Sequence, residues 1–285
     1  MIVRRTSREG ILARLRGKVE ARRPVWIASA GTGLVARLLE QAGADCINTF
    51  SGARLRGNGL GTMAMLWPIV DSNRQTLEYT EQDILPALRG DAFVCACLNA
   101  NDPLKDMGVV LRRLQEHGVF SVSNIGPSVS YVDKGSQVHK VLRAAGITFE
   151  NEVELLAAAR EMGHVTVALA FDLEDSLQIV EQARPDVFCF HAGTTKGGLR
   201  GYDSGERIDE TAARTEEVNA RLRRIKPDLI LVAHGAAMET PEDAQYLLDH
   251  TSCHGFWTGS STERIPIERA VTETARRFAE LKFHV

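Results

Sequence analysis

Short apolar runs alternate with longer amphipathic stretches along the whole chain. The runs are rich in Val, Ile, Phe or Cys, and they lack the polar alternation of a half-exposed strand. This pattern is typical of parallel strands that are buried on both faces. It predicts eight strands, which are Val25–Ser29, Cys46–Phe50, Ala92–Leu98, Val119–Asn124, Val165–Ala170, Val187–His191, Leu229–Ala233 and Gly255–Thr258.

Helical spacing fills the segments between these runs. Apolar residues recur three and four positions apart after the first run and again after the last, and Gly43 ends the first of these helices. The two apolar stripes consist of Leu34, Leu38, Leu39 and Ala42, and of Ile267, Val271, Thr274, Phe278 and Leu281. Residues 7–22 predict an additional helix before the first strand. Residues 133–163 predict two helical segments, with a short strand at 148–150 as an alternative.

Eight strands with interleaved helices predict an α/β fold, a (β/α)8 TIM barrel over residues 24–285, with an extra N-terminal helix within residues 1–23. A doubly wound open sheet is the alternative. Such a sheet usually carries a Gly-rich phosphate-binding turn after its first strand, and A-G-T-G-L at 30–34 matches that turn only in part. We therefore favour the barrel, as one domain.

Composition and charge restrict the partners. The chain has 285 residues, 44% hydrophobic and 25% charged, with a formal net charge of −3 and no long run of one sign. No stretch approaches the roughly 18 apolar residues of a membrane span. We expect no nucleic-acid partner, no membrane partner and a cytoplasmic location, since the N-terminus lacks the pattern of a secretory signal. Five cysteines, mostly in apolar runs, argue against a disulfide framework.

The candidate chemistry lies in the loops that follow the strands, where barrel enzymes place their sites. These loops are rich in Gly, Ser, Thr, Asn and His, which suits a small anion bound by backbone N–H groups and hydroxyls. His191 and His234 end neighbouring predicted strands, and each precedes a glycine within two residues. A single histidine there is usually structural, but two at one barrel mouth predict general acid–base groups.

Three carboxylates lie near the same loops: Asp71, Asp102 and Glu152. Asp71 and Asp102 have helix N-capping as an alternative role. The stretch from Ser51 to Asp71 is long and Gly-rich, which predicts a functional lid or, through residues 63–67, an oligomer contact, and both roles are compatible. Ser260 and Ser261 precede the last helix, where they could bind phosphate or simply cap the helix. We expect a homo-oligomer.

Seven motifs resemble the phosphoenolpyruvate hydrolase-like family of TIM-barrel proteins from about Pro24 to Leu281. They are A-G-T-G (30–33), S-G-A-R (51–54), V-D-S-N (70–73), E-V-E-L-L-A-A-A-R-E-M-G (152–163), H-A-G-T-T-K-G-G (191–198), H-G-A-A (234–237) and G-S-S-T-E-R-I-P-I-E (259–268). By analogy, the family points to the phosphoenolpyruvate mutase/isocitrate lyase superfamily. Those enzymes bind an α-keto acid or enol with Mg²⁺ and make or break C–C or C–P bonds.

This resemblance implies roles for particular residues. Ser51 and Gly52 resemble the carboxylate-binding turn of the superfamily, Asp71 lies in its gating-loop motif, and His191 resembles its sixth-strand histidine. The acidic metal-binding run is replaced by L-N-A-N-D-P at 98–103, so Asp102 is left as the single charged metal candidate, and Asn124 stands where the superfamily has glutamate. Because Mg²⁺ prefers charged oxygen ligands, the cofactor is undetermined, with Mg²⁺ implied by the resemblance and disfavoured by these changes.

The leading hypothesis is a phosphoenolpyruvate or phosphonopyruvate hydrolase-like enzyme that hydrolyses a small keto or enol carboxylate, or cleaves a C–C or C–P bond in it. His191, His234 and Asp71 are the predicted catalytic residues. The predicted contacts to this anionic substrate are Ser51, Gly52, Asn99, Asn124, Gly193, Thr194, Gly235, Ser260 and Ser261. The alternative is a non-catalytic small-molecule-binding or signalling barrel. An aldolase-like reaction ranks last, because no predicted strand carries a lysine.

Overall fold

Eight parallel strands close into a barrel in the computed structural model, which describes residues 6–283. Each strand pairs with the next along the chain, and the first pairs with the eighth in the register Ala28 to Thr258. The strands are β1 (Val25–Ser29), β2 (Cys46–Thr49), β3 (Phe93–Cys97), β4 (Ser121–Ser123), β5 (Val165–Ala170), β6 (Val187–His191), β7 (Ile230–His234) and β8 (Gly255–Thr258). The predicted TIM barrel is confirmed, and the open sheet is excluded.

Helices surround the barrel and connect its strands. They are α1 (Arg8–Glu20), α2 (Gly33–Gln41), α3 (Ser51–Gly57), α4 (Ser72–Tyr79), α5 (Leu85–Ala87), α6 (Met107–Glu116), α7 (Gln137–Ala144), α8 (Phe149–Glu161), α9 (Leu173–Ala183), α10 (Ile208–Ile225), α11 (Pro241–His250) and α12 (Arg264–Ala279). Short 3₁₀ turns cover Thr62–Leu66 and Val129–Tyr131, and a π-helical turn, Thr80–Ile84, joins α4 to α5.

One local expectation is wrong. The alternative strand at 148–150 is helical, because α8 begins at Phe149 directly after its N-cap residue, Thr148. The stretch from Ser51 to Asp71, predicted as a lid or an oligomer contact, contains regular structure. It folds as α3 followed by the 3₁₀ turn, and its apolar side chains pack on the barrel; Met65, for example, is 5% exposed.

The predicted N-terminal helix is confirmed as α1, and residues 1–5 of the chain lie outside the described part. Ser7 caps it by accepting a hydrogen bond from the Gly10 amide. Its buried side chains, Ile11 and Leu15 among them, join the apolar cluster formed by the inward residues of the strands. The guanidinium of Arg8 also pairs with Asp186 at the start of β6. Helix α1 therefore covers the N-terminal end of the barrel, and the opposite end is left for a site.

Helix α12 leaves most of its apolar stripe uncovered. Every residue from Val271 to Phe283 is exposed, including Phe278 at 70% and Leu281 at 74%. The stripe after the first strand is also only partly buried: Leu39 packs inward, whereas Leu34 and Leu38 face outward. The periodicity located both helices correctly but did not indicate the buried face.

Of the five cysteines, which are all free, four are buried in the barrel wall, as the apolar runs predicted. No helix within residues 6–283 has the length and apolar character needed to cross a membrane.

Candidate functional site

A cavity of about 170 Å³ opens at the C-terminal end of the barrel. It lies where β1, β6, β7 and β8 end and is covered by the loops after β2 and β6. Its lining residues are Ser29, Phe50, Arg56, Gly61, Thr62, Met63, Ala64, Met65, Ile125, His191, Thr194, Thr195, Arg200, Tyr202, His234, Gly259, Ser260 and Arg264. This set includes four of the predicted site residues: both histidines, Thr194 and Ser260.

His234 is the last residue of β7, and its ring is fixed by one hydrogen bond. Its Nδ1 lies 2.7 Å from the carbonyl oxygen of Trp257 on β8. Because a carbonyl can only accept, Nδ1 carries the proton, and the lone pair of the neutral ring is on Nε2. Burial lowers the pKa of His234 to about 4. At neutral pH the side chain is therefore an uncharged base with a defined tautomer.

His191 ends β6 and lies directly beside His234. Their rings meet edge to face, with centroids 4.5 Å apart. His191 also stacks on Phe171 at 4.3 Å, and Phe171 in turn contacts Tyr131 edge to face at 4.7 Å. Burial, and then the neighbouring His234, hold the pKa of His191 well below its usual value. Its buried Nδ1 has no hydrogen-bond partner among the described residues, so one polar atom of the site is left unsatisfied.

Sequence reasoning missed the charged part of this site, which consists of arginines. Arg56 of α3 is 5% exposed, and its Nε lies 2.8 Å from Oε2 of Glu263, which is itself 4% exposed. The other carboxylate oxygen of Glu263 accepts from the Gly31 amide at 2.6 Å, and Arg56 also donates to Thr62. This network ties the loop after β1 to α3 and to the start of α12.

Two further arginines, Arg264 and Arg200, line the cavity, and each keeps guanidinium N–H donors that are not fully engaged in hydrogen bonds. Arg264 is 7% exposed and donates to Glu268 and to the carbonyl oxygen of Gly197. Its buried Nε has no hydrogen-bond partner within the described part of the chain. Arg200 is exposed on the loop after β6 and forms no ion pair with residues 6–283. No Asp or Glu is among the lining residues, but Arg56 and Arg264 are paired with Glu263 and Glu268 behind the cavity wall, so Arg200 is the lining arginine without an ion pair in the described part of the chain.

Several predicted binding residues lie outside the cavity wall. The Ser51 hydroxyl is buried and bonds to that of Ser72 at 2.6 Å. Gly193 and Gly235 face each other instead of a ligand: Ala236 donates to the Gly193 carbonyl at 2.8 Å, and a Cβ on Gly235 would lie 2.0 Å from that oxygen. Ser261 is half-buried and does not line the cavity; the N-cap of α12 is Glu263, with no side-chain cap.

The two predicted asparagines have structural partners. The Asn124 amide spans two elements, since it donates to Glu152 at 2.7 Å and both donates to and accepts from the Leu169 backbone. Asn99 accepts from the Asn101 amide through its side chain, and its backbone exchanges two bonds with Asn73. Neither asparagine lines the cavity.

Glu152 is a buried carboxylate at 1% exposure, next to the turn at 128–131. It accepts hydrogen bonds from the Asn124 amide, the Ser128 hydroxyl at 2.9 Å and the Val129 backbone at 2.8 Å. Burial raises the pKa of Glu152 to about 8, although these three donors oppose the shift. Glu152 therefore holds the turn that carries Tyr131, which supports His191 through Phe171.

The carboxylates implied for Mg²⁺ do not fit that ion. Asp71 caps α4 by accepting from the Arg74 amide, and its other oxygen lies 2.7 Å from the Lys105 ammonium. Lys105 also lies 3.6 Å from Asp102, which accepts from the Asn73 amide as well. A built-in cation therefore already lies between the two aspartates. Residues 6–283 contain no group of three or more His, Cys, Asp or Glu side chains arranged to hold a metal.

Comparison with known proteins gives a consistent result. The family described as phosphoenolpyruvate hydrolase-like matches residues 10–281. The ToMV resistance protein Tm-1(GCR237) of Solanum lycopersicum is 32% identical over 276 residues, which cover 96% of this chain and 36% of that protein. The chain therefore spans about a third of the length of this relative.

Two solved structures share the fold. Phosphoenolpyruvate phosphomutase from Streptomyces platensis subsp. rosaceus superposes with a TM-score of 0.62 at 17% identity, covering 94% of this chain and 87% of that one. A phosphonopyruvate hydrolase in complex with oxalate and Mg²⁺ gives a TM-score of 0.58 at 16% identity, covering 94% and 88%. At these identities, the likeness concerns the barrel architecture.

Proposed function

Because the chain belongs to the phosphoenolpyruvate hydrolase-like family, as its motifs indicate, we propose that it is an enzyme acting on a small carboxylate-bearing keto or enol substrate. The reaction would be hydrolysis or cleavage of a C–C or C–P bond. The observation that carries this proposal is the pair of neutral histidines, His191 and His234, at the base of a cavity that also contains arginine donors.

The proposed roles follow from the atoms that are free. Nε2 of His234 accepts a proton from water or from the substrate, and His191 donates or accepts at the adjacent position. Arg264 and Arg200 hold the substrate carboxylate, and the hydroxyls of Thr194 and Ser260 bind its other oxygens. Asp71 remains a predicted catalytic residue without a role here, because its carboxylate is taken by Lys105 and lies outside the cavity wall.

The test is turnover in histidine variants. Candidate substrates, such as phosphonopyruvate and phosphoenolpyruvate, are screened first with the wild-type chain. We expect the H191A/H234A double variant to lose at least about 10²-fold in turnover, the typical contribution of a positioned acid–base group. The matched control is H117A, at the exposed end of α6, which should retain full activity. Unchanged turnover in a folded double variant would refute the assignment.

A second function is favoured by a different observation. The cavity has no acidic residue, and Lys105 lies between Asp71 and Asp102, so the barrel also suits a non-catalytic sensor that binds an anion without metal. Calorimetric titration with oxalate, with and without Mg²⁺, separates the two functions. Metal-independent binding with no turnover of any candidate substrate supports the sensor, whereas histidine-dependent turnover supports the enzyme.

The expected homo-oligomer is also a proposal, and α12 supports it. Thirteen consecutive residues, 271–283, are exposed, and the outward residues Leu34 and Leu38 of α2 are a second bare apolar surface. Association of two copies through α12 would bury the apolar stripe. Light scattering should find a dimer for the wild type and a monomer for V271E/F278E. The matched control is L104E, at a residue 87% exposed elsewhere, which should remain dimeric.

A further inference from the structure

The cavity has two chemically different sides. One side carries the free arginine donors and the hydroxyls described above. The other side is apolar and is built from the loop after β2 and the residue that follows β4. Its members are Phe50, Met63, Ala64, Met65 and Ile125. A ligand that bound only to the arginines and hydroxyls would not require an apolar wall.

Gly52 makes the apolar side possible. A Cβ at this position would lie 2.5 Å from Cε2 of Phe50 and 2.9 Å from Sδ of Met65, distances that side chains do not reach. With hydrogen in place of a side chain, α3 lets the Phe50 ring and the Met65 thioether meet beside the cavity. Both are buried, at 3% and 5% exposure, so the wall is packed in place before a ligand arrives.

The charged side can hold one anionic group. Arg56 has its donors engaged by Glu263 and Thr62. Arg264 is paired with Glu268 at 3.1 Å and keeps only its Nε for a further acceptor, whereas Arg200 has no ion pair with residues 6–283. The Nε of Arg264 is buried and unpartnered among the described residues, and a carboxylate would give it the acceptor it lacks. A second anionic group would meet the apolar wall, where burying a charge is costly.

We infer that the cavity takes a monocarboxylate with a hydrocarbon substituent of about three to five carbons, bound with its carboxylate at Arg264 and its chain on Met63, Met65 and Ile125. The 2-oxo or enol group of this ligand rests on the proposed function; the hydrocarbon chain does not. The volume agrees, because 170 Å³ is space for about five or six waters at ~30 Å³ each, more than a two-carbon ligand such as oxalate fills.

The experiment is calorimetric binding of a homologous series, from 2-oxopropanoate through 2-oxobutanoate and 2-oxopentanoate to 2-oxohexanoate. The H191A/H234A variant is used as well as the wild type, so that turnover does not obscure the heats. Each buried methylene contributes about 0.8 kcal/mol, so affinity should rise about fourfold per carbon and about 60-fold across the series. Affinity that is flat or falls along the series overturns the inference.

Two variants separate the sides of the cavity. M63Q keeps the side-chain length but makes the wall polar, so it should reduce the rise in affinity per methylene. The control M107Q, on α6 and outside the cavity, should leave that rise unchanged. R264Q should weaken every member of the series by a similar factor and leave the gain unchanged. If affinity rises with chain length but no substrate is turned over, the proposed enzyme is refuted and this inference is supported. If turnover depends on the histidines but affinity does not rise with chain length, the proposed enzyme is supported and this inference is refuted.

Discussion

The imidazoles of His191 and His234 meet edge to face, with centroids 4.5 Å apart and planes at 87°. Burial lowers the pKa of both rings, and two protonated rings at this distance would also repel each other. Both are therefore neutral at pH 7, and the site holds two bases and no imidazolium until an anion enters. A bound carboxylate changes this balance, because a nearby negative charge favours the protonated form of a histidine.

The first prediction concerns this shift. Binding of 2-oxobutanoate should raise the pKa of His234 from about 4 by about one unit or more, the size expected for an opposite charge at close range. The measurement is an NMR titration of the ring C–H signals with and without 2-oxobutanoate. R264Q should reduce the shift, since it weakens the binding of the anion. An identical titration curve in both conditions would contradict the proposed position of the carboxylate.

The second prediction concerns the buried pair of Arg56 and Glu263. Removing one partner leaves an uncompensated charge in the interior, so E263Q should lower the free energy of unfolding by about 3–5 kcal/mol. Denaturant unfolding measures this loss. The matched control is E78Q, in the exposed pair with Arg74, which should cost less than about 1 kcal/mol. The double variant R56L/E263L should lose less free energy of unfolding than E263Q. A larger loss would show that the unpaired charge is not the main cause of the destabilisation.

The third prediction is the pH dependence that Glu152 contributes. Its pKa is raised in the folded chain to about 8, so its stabilising contribution is complete below its unfolded pKa of about 4.5 and is lost as pH rises through 8. In that window stability should fall by up to about 1.4 kcal/mol per pH unit from this group. E152Q, which does not titrate, should show a flatter profile in urea unfolding between pH 5 and 9. Parallel profiles for the two proteins would show that Glu152 is ionised when folded.

The fourth prediction is that Mg²⁺ has no effect on the wild-type chain. Because the Lys105 ammonium already occupies the space between Asp71 and Asp102, millimolar Mg²⁺ should produce neither binding heat nor a change in Tm. K105M removes the ammonium and leaves two carboxylates on neighbouring loops, so this variant should be stabilised by Mg²⁺. Saturable binding of Mg²⁺ to the wild type that disappears in D102N would instead support Asp102 as a metal ligand.

The barrel and the histidine pair could be predicted because both follow from strand ends. A buried parallel strand is readable as an apolar run, and a polar residue at its C-terminal end must lie at the barrel mouth. His191 and His234 satisfy this rule directly. The supporting partner of His234, the Trp257 carbonyl, could be placed on the neighbouring strand only once the register was known.

The arginines could not be predicted in the same way. Arg56 lies inside a helix, and its partner Glu263 is 207 positions away, so nothing local distinguishes the two from solvated surface charges. The same limit applies to Asn124, which looked like a substrate contact at a strand end but supports Glu152 and the β5 backbone. Strand ends give the position of a residue, whereas the direction of its hydrogen bonds depends on long-range packing.

The contact between Gly193 and Gly235 links the two loops that follow His191 and His234. Each glycine follows its histidine within two residues, and the Ala236 amide donates to the Gly193 carbonyl, so the loops after β6 and β7 are joined at their roots. A side chain on Gly235 would force the backbones apart, since its Cβ would overlap that carbonyl oxygen. A displacement imposed on one loop by a ligand is therefore transmitted to the other, and the two imidazoles should respond to occupancy as a single rigid unit.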